Sequence, residues 1–149
     1  MSVLAFLALY PATILPLQKA ISRTFPLMAH RVPAGFPSPA GDYVERRIDL
    51  NQELVQHPEA TFFLRAQGNS MIDAGISDGD TLIVDRAIEA SHDHIVIAAV
   101  DGEFTVKRLW RHGGRVRLVA ENPDFPPIEL NDGQEMAIWG VVTHIIKKA

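Results

Sequence analysis

The pattern of apolar and polar positions changes character near Tyr43. Downstream of it, β-branched and aromatic runs recur between turn residues. They are Thr61-Phe62-Phe63-Leu64, Thr81-Leu82-Ile83-Val84, residues 103–110, residues 115–119, and a last apolar stretch over residues 136–146. Each predicts a strand, because such side chains pack well on a pleated, half-buried surface. Residues 94–100 are apolar almost throughout, which predicts a strand buried on both faces. Asp101-Gly102 predicts a two-residue hairpin turn, since glycine tolerates φ > 0, and Gly113-Gly114 predicts a second turn. Gly140 marks a bulge or bend in the final strand. The expected fold class is mainly β, compact and mostly antiparallel. Helix is limited to a turn or two over residues 50–56 and a short element at Ser70-Met71-Ile72-Asp73, whose Ser-x-x-acid pattern is that of a helix N-cap.

Residues 1–42 read differently. Pro11, Pro16, Pro26, Pro33, Pro37 and Pro39 punctuate them, and each proline fixes φ and removes a backbone donor. Continuous helix or sheet is not expected there. The division predicted is an extended N-terminal arm over residues 1–42 and a domain over residues 43–149. Such an arm can be drawn into a cleft. Its first 17 residues carry no charge, which superficially resembles a leader. Pro11 and Pro16 break the run, however, and the first lysine is Lys19. A signal peptide places positive charge before its apolar core, and a spanning helix needs about 20 mostly apolar residues. The expectation is an arm that packs on the protein itself or on a partner, with no membrane contact.

Composition narrows the chemistry. A chain of 149 residues fits one domain. The net charge is −4, from 14 Lys+Arg against 18 Asp+Glu. The one basic cluster (Lys107, Arg108, Arg111, Arg115, Arg117) is interrupted by Trp110 and the Gly-Gly turn, so direct nucleic-acid binding is not expected. The absence of cysteine excludes disulfides, thiol catalysis and cysteine-based zinc sites, and fits a reducing compartment. His92 and His94 are spaced to share a strand face, but no third ligand follows at metal-site spacing. His30, His57, His112 and His144 stand isolated. Asp73, Asp78, Asp80 and Asp85 are explained as turn punctuation. No phosphate loop or dinucleotide fingerprint is present. Neither a metal site nor a cofactor is expected.

Two residues stay open on this reading. Lys107 shares a strand face with Thr105 and Leu109. It is either a solvent-facing lysine on an edge strand or a partly buried one. In the second case desolvation lowers its pKa, so that it can accept a proton near neutral pH. Ser70, in the turn Gly68-Asn69-Ser70-Met71, is either a cap or a nucleophile that needs an adjacent base. Backbone N–H groups of Ser70 and Met71 at a helix start could receive an oxyanion. Spacing alone does not bring the two side chains together.

Longer stretches carry a resemblance. They are Gly35-Phe36-Pro37-Ser38-Pro39-Ala40, Ile48-Asp49-Leu50-Asn51, His57-Pro58 through Thr61, Ser70-Met71-Ile72-Asp73, and Gly75-Ile76-Ser77-Asp78-Gly79-Asp80. Ala90-Ser91-His92, Phe104-Thr105-Val106-Lys107-Arg108-Leu109 and Gly140-Val141-Val142-Thr143-His144 complete the set. Over about residues 33–146 the chain resembles the UmuD-type mutagenesis proteins, relatives of the LexA repressors among the serine–lysine autopeptidases (peptidase S24). The resemblance implies a LexA-like peptidase β fold in which Ser70 attacks the scissile carbonyl. Lys107 takes the hydroxyl proton and later delivers it to the leaving amine, and the bond cut is Ala34-Gly35. It further implies a cytoplasmic homodimer of the SOS response. A RecA filament on single-stranded DNA favours the cleavable conformation. The trimmed dimer then joins a Y-family DNA polymerase subunit (UmuC-type) for translesion synthesis. Residues 1–30 are more apolar and proline-rich than the family pattern. Three other readings are weighed. One is a non-cleaving polymerase accessory subunit, and another a membrane signal peptidase with related chemistry. The third is a LexA-like repressor, for which the proline-rich residues before Gly35 supply no helix-turn-helix unit. Whether cutting runs in cis or in trans is not written in the sequence.

Overall fold

A computed structural model describes residues 22–37, 39, 41, 43–130 and 135–149; the apolar residues 1–17 lie outside the described set. By contacts the chain divides between Gln56 and His57, further along than the change in composition at 42/43. The reason is strand pairing. β1 (Phe25–Met28) pairs antiparallel with β2 (Val44–Ile48), Phe25 opposite Ile48, in a sheet of their own. Residues just past Tyr43 therefore belong with the arm. β1 also contains Pro26, where no sheet was expected. A two-stranded ribbon leaves each strand an open edge, and that is where proline is tolerated. Arg47 ties the ribbon to Thr24 through a 2.9 Å bond to its hydroxyl. The helix α1 (Leu50–Leu54) follows, capped by Asp49, whose carboxylate accepts from the Asn51 N–H at 2.9 Å.

The second unit is built on a seven-stranded antiparallel sheet. Its strands are β3 (Thr61–Arg65), β4 (Thr81–Asp85), β5 (Ile95–Val100), β6 (Glu103–His112), β7 (Arg115–Val119), β8 (Ile128–Glu129) and β9 (Met136–Ile146). Their spatial order is β3-β4-β9-β5-β6-β7-β8. Both predicted hairpin turns are present. Asp101 and Gly102 have φ of 48° and 83°, and Val100 faces Glu103 across the turn. That pair of left-handed residues matches the twist of the flanking strands. Gly113 and Gly114 do the same between β6 and β7.

β5 is buried on both faces, as its continuous apolar run predicts. Ile97 packs with Met71, Ile76, Leu82, Val84 and Trp139, while Val96 and Ala98 pack with Leu109, Leu118 and Val141. β9 runs between β4 and β5 and shifts register twice, opposite Ile97/Ala98 and opposite Ile83/Val84. Gly140 sits beside the first shift, which bears out the bend expected there. A side chain at Gly140 would place its Cβ 2.6 Å from Val84 Cγ1, so β4 and β9 approach too closely for anything larger.

Candidate active site

Ser70 lies in the loop from β3 to β4. Three features fix this loop. The Met71 side chain is buried in the core. The Ala66 N–H donates to Asp80 O at 2.8 Å, and the Gly68 N–H donates to the Asp78 carboxylate at 2.7 Å. A single 3-10 turn over Ile72–Ala74 follows. Its cap is Met71, not Ser70, and no side chain caps it. The Asp73 N–H, which a capping serine would have taken, donates instead to Glu121 O at 2.8 Å. The helix expected at Ser70 is thus shortened and displaced, leaving the serine hydroxyl available for another partner.

That partner is Lys107. It stands in β6 opposite Val96 and is only 8% exposed, which excludes the solvent-facing reading. Its Nζ donates to Ser70 Oγ at 3.1 Å, to Thr105 Oγ1 at 2.8 Å and to Val106 O at 3.1 Å. Burial holds the amine's pKa below the ordinary lysine value. β6 changes partners here: residues 103–108 pair with β5, and β7 pairs only from Arg108 onward. One edge of β6 is therefore open as far as Lys107 among the described residues. A cleft of 360 Å³ opens beside Ser70, with walls from the ends of β3 and β6 and a floor that includes Leu82, Ile97 and Trp139. Its lining is mostly apolar, with Arg65, Gln67, Ser70 and Thr105 as the polar residues. Neither the Ser70 nor the Met71 backbone N–H has a hydrogen-bond acceptor among the described residues.

Ala34 and Gly35 lie in the other unit, in the loop between β1 and β2, and are exposed along with Val32 and Phe36. The Ala29 N–H closes the base of that loop on Tyr43 O at 2.8 Å.

The remaining titratable candidates resolve into structural pairs. His92 and His94 do not share a strand face, because Asp93 between them takes φ 70° in the turn before β5. His57, isolated in sequence, meets the buried Asp85 carboxylate at 2.6 Å. Asp85 also accepts from the Ala87 N–H at 2.8 Å. Asp80 accepts from the Ser77 N–H at 2.8 Å and from Lys147 at 2.5 Å. The described residues contain no cluster of three or more such side chains arranged to hold a metal ion. None of their helices is long and apolar enough to cross a membrane.

The antiparallel β body thus holds a serine hydroxyl against a buried amine. Residues 26–143 match the Peptidase S24-like family, and the chain belongs to it, in agreement with its resemblance to UmuD-type mutagenesis proteins. It is 50% identical over 124 residues to Protein ImpA of Escherichia coli, covering 83% of each chain. It is 47% identical over 133 residues to Protein SamA of Salmonella typhimurium, covering 89% of this chain and 92% of that one. A LexA repressor from Bordetella petrii is 43% identical over 129 residues, 86% of this chain but 57% of the repressor. A match over 133 of 149 residues starts at residue 17 or earlier. Similarity therefore enters the arm further than the motifs alone indicated.

Proposed function

We propose that this protein is a self-cleaving serine peptidase in which Ser70 is the nucleophile, Lys107 its base and Ala34-Gly35 the scissile bond. The observation that carries the reading is the 3.1 Å contact between Ser70 Oγ and the Nζ of a buried lysine. A neutral amine has two N–H groups and one lone pair. With the N–H groups given to Thr105 Oγ1 and Val106 O, the lone pair is left for the Ser70 O–H. Ser70 Oγ then attacks the Ala34 carbonyl carbon as its proton passes to Lys107. The free N–H groups of Ser70 and Met71 stabilise the oxyanion. Collapse of the tetrahedral intermediate returns the proton to the Gly35 nitrogen, and water releases the acyl group from Ser70.

The setting that fits the relatives is SOS mutagenesis. RecA on single-stranded DNA stimulates the cut, and the trimmed homodimer then serves a Y-family translesion polymerase subunit in the cytoplasm. A non-cleaving accessory subunit is the competing reading, and one experiment separates the two. Purified protein is incubated at raised pH, and in parallel with RecA, ATP and single-stranded DNA, then analysed by gel and mass spectrometry. The expected product begins at Gly35 and runs to Ala149. Folded protein that stays intact in both arms would refute the peptidase reading.

Because the charged amine cannot accept a proton, the cleavage rate should climb with pH up to the lowered Lys107 pKa and level off above it. Thr105→Val keeps the shape of β6 but removes one acceptor that orients the amine. Its plateau rate is expected to fall about tenfold, read from the same gel assay across pH.

A further inference from the structure

The segment after β7 touches the Ser70 loop at three points. Glu121 O accepts from the Asp73 N–H at 2.8 Å, the Glu121 N–H donates to Met71 Sδ at 3.4 Å, and Asn122 Nδ2 donates to Asn69 O at 2.9 Å. These contacts bracket Ser70 on both sides in sequence. The same segment is tied to the lysine strand. The Glu121 carboxylate accepts from Arg108 Nε, and Arg108 is the neighbour of Lys107 in β6. Arg108 is anchored in turn by its Nη1, which donates to Asp93 O at 2.7 Å. Asn122 is held in one amide orientation, because its Oδ1 accepts from the Asp124 N–H at 3.0 Å while its Nδ2 faces Asn69 O.

We infer that Asn122 and the Arg108–Glu121 ion pair form a positioning clamp that sets Ser70 Oγ against Lys107 Nζ, a role that rests on the serine–lysine reading proposed above. Ser70 and Lys107 come from distant parts of the chain and touch through one hydrogen bond. A hydrogen bond between two flexible side chains does not fix its own geometry, and a displacement of about 1 Å can cost about a hundredfold in rate. The clamp removes that freedom. It fastens the backbone on either side of the serine to a segment that is itself ion-paired to the residue next to the lysine. Asn122 and Glu121 touch neither reacting atom, so they act through Ser70 and Lys107.

The diagnostic substitution is Asn122→Asp. It keeps the oxygen that accepts from Asp124, replaces the donor facing Asn69 O with a second oxygen, and leaves Lys107 untouched. Self-cleavage of the full chain is timed across pH for the parent and the variant. Labelling of Ser70 by a fluorophosphonate, which needs no docked arm, is timed in parallel. Expected are plateau rates about tenfold lower in both assays, with the pH midpoint and thermal unfolding temperature unchanged. Parental rates in Asn122→Asp overturn the clamp. So does a slowing that comes with a moved midpoint or a matching loss of thermal stability, since either marks a general structural role. If Asn122→Asp does not fold, Glu121→Gln decides, with an expected loss of about threefold at an unchanged midpoint and overturn at the parental rate. A parent chain that neither cleaves nor labels at Ser70 overturns the serine–lysine reading and the clamp with it. A parent that cleaves beside an equally fast variant overturns the clamp alone.

Discussion

Lys107→Met is expected to stop self-cleavage, with a loss of at least about a hundredfold at every pH, and to leave the protein at least as stable as the parent. Methionine nearly matches the lysine stem in volume, so the buried path through β6 stays filled. What disappears is the lone pair that, in the proposed mechanism, accepts the Ser70 proton. The stability half of the prediction follows from the sign of the titration. The amine's pKa is lowered by burial in the folded chain, whereas in the unfolded chain it sits near about 10.4. The unfolded chain therefore binds more protons between those two values, and folding is favoured as pH rises through that window. Below it, the charged amine costs folding free energy that methionine does not incur. Urea denaturation near neutral pH and a gel time course test both halves together. Ser70→Ala should be equally inactive without any change in the pH dependence of stability. A Lys107→Met chain that cuts at the parental rate would remove lysine from the mechanism.

The second large effect is on the fold. Gly140→Ala is expected to destabilise by about 1–3 kcal/mol. Gly140 does not have positive φ, so on backbone grounds alone alanine would stabilise by about 0.4–1 kcal/mol by restricting the unfolded chain. The clash decides the sign. The new Cβ would meet Val84 Cγ1 at 2.6 Å, Arg86 Cγ at 3.3 Å and Asp85 O at 3.4 Å. Arg86 could swing away, but Val84 is fully buried between β4 and the core and has nowhere to go. A lower denaturation midpoint with an unchanged slope is the expected result. A midpoint at or above the parent's would mean that β4 and β9 part without cost.

Much of the body was legible in the sequence because its signals are local. The Asp101-Gly102 and Gly113-Gly114 turns fix β5, β6 and β7 with short-range chemistry, and the apolar run before Asp101 reports burial on both faces. The final strand spans residues 136–146, as its apolar stretch predicts. Harder to read were features decided by partners far away. Val44–Ile48 carries Glu45, Arg46 and Arg47, and it is a strand only because Phe25–Met28 pairs with it. Ile128–Glu129 is two residues long and exists through its bonds to β7. The serine cap fails for the same reason: Glu121, 51 positions on from Ser70, takes the N–H that a local cap would satisfy. Ser70 and Lys107 were each ambiguous alone. Their meeting depends on how the sheet brings β6 beside the β3–β4 loop, which no spacing encodes. Asn122 left a faint trace, since Asn-Pro is a turn signal, but nothing local pointed to Asn69.

The position of β9 makes it the joint of the sheet. In the sheet, β3 and β4 with the serine loop between them form one piece, and β5 through β8 with the lysine form another. The strand that joins them follows both in chain order. Without residues 136–146 the two pieces share no strand pairing, and they are linked through core side chains and the contacts of residues 121 and 122 with the Ser70 loop. Under the proposed serine–lysine mechanism, loss of the β9 pairing is therefore expected to cost the cut more than loss of any edge strand.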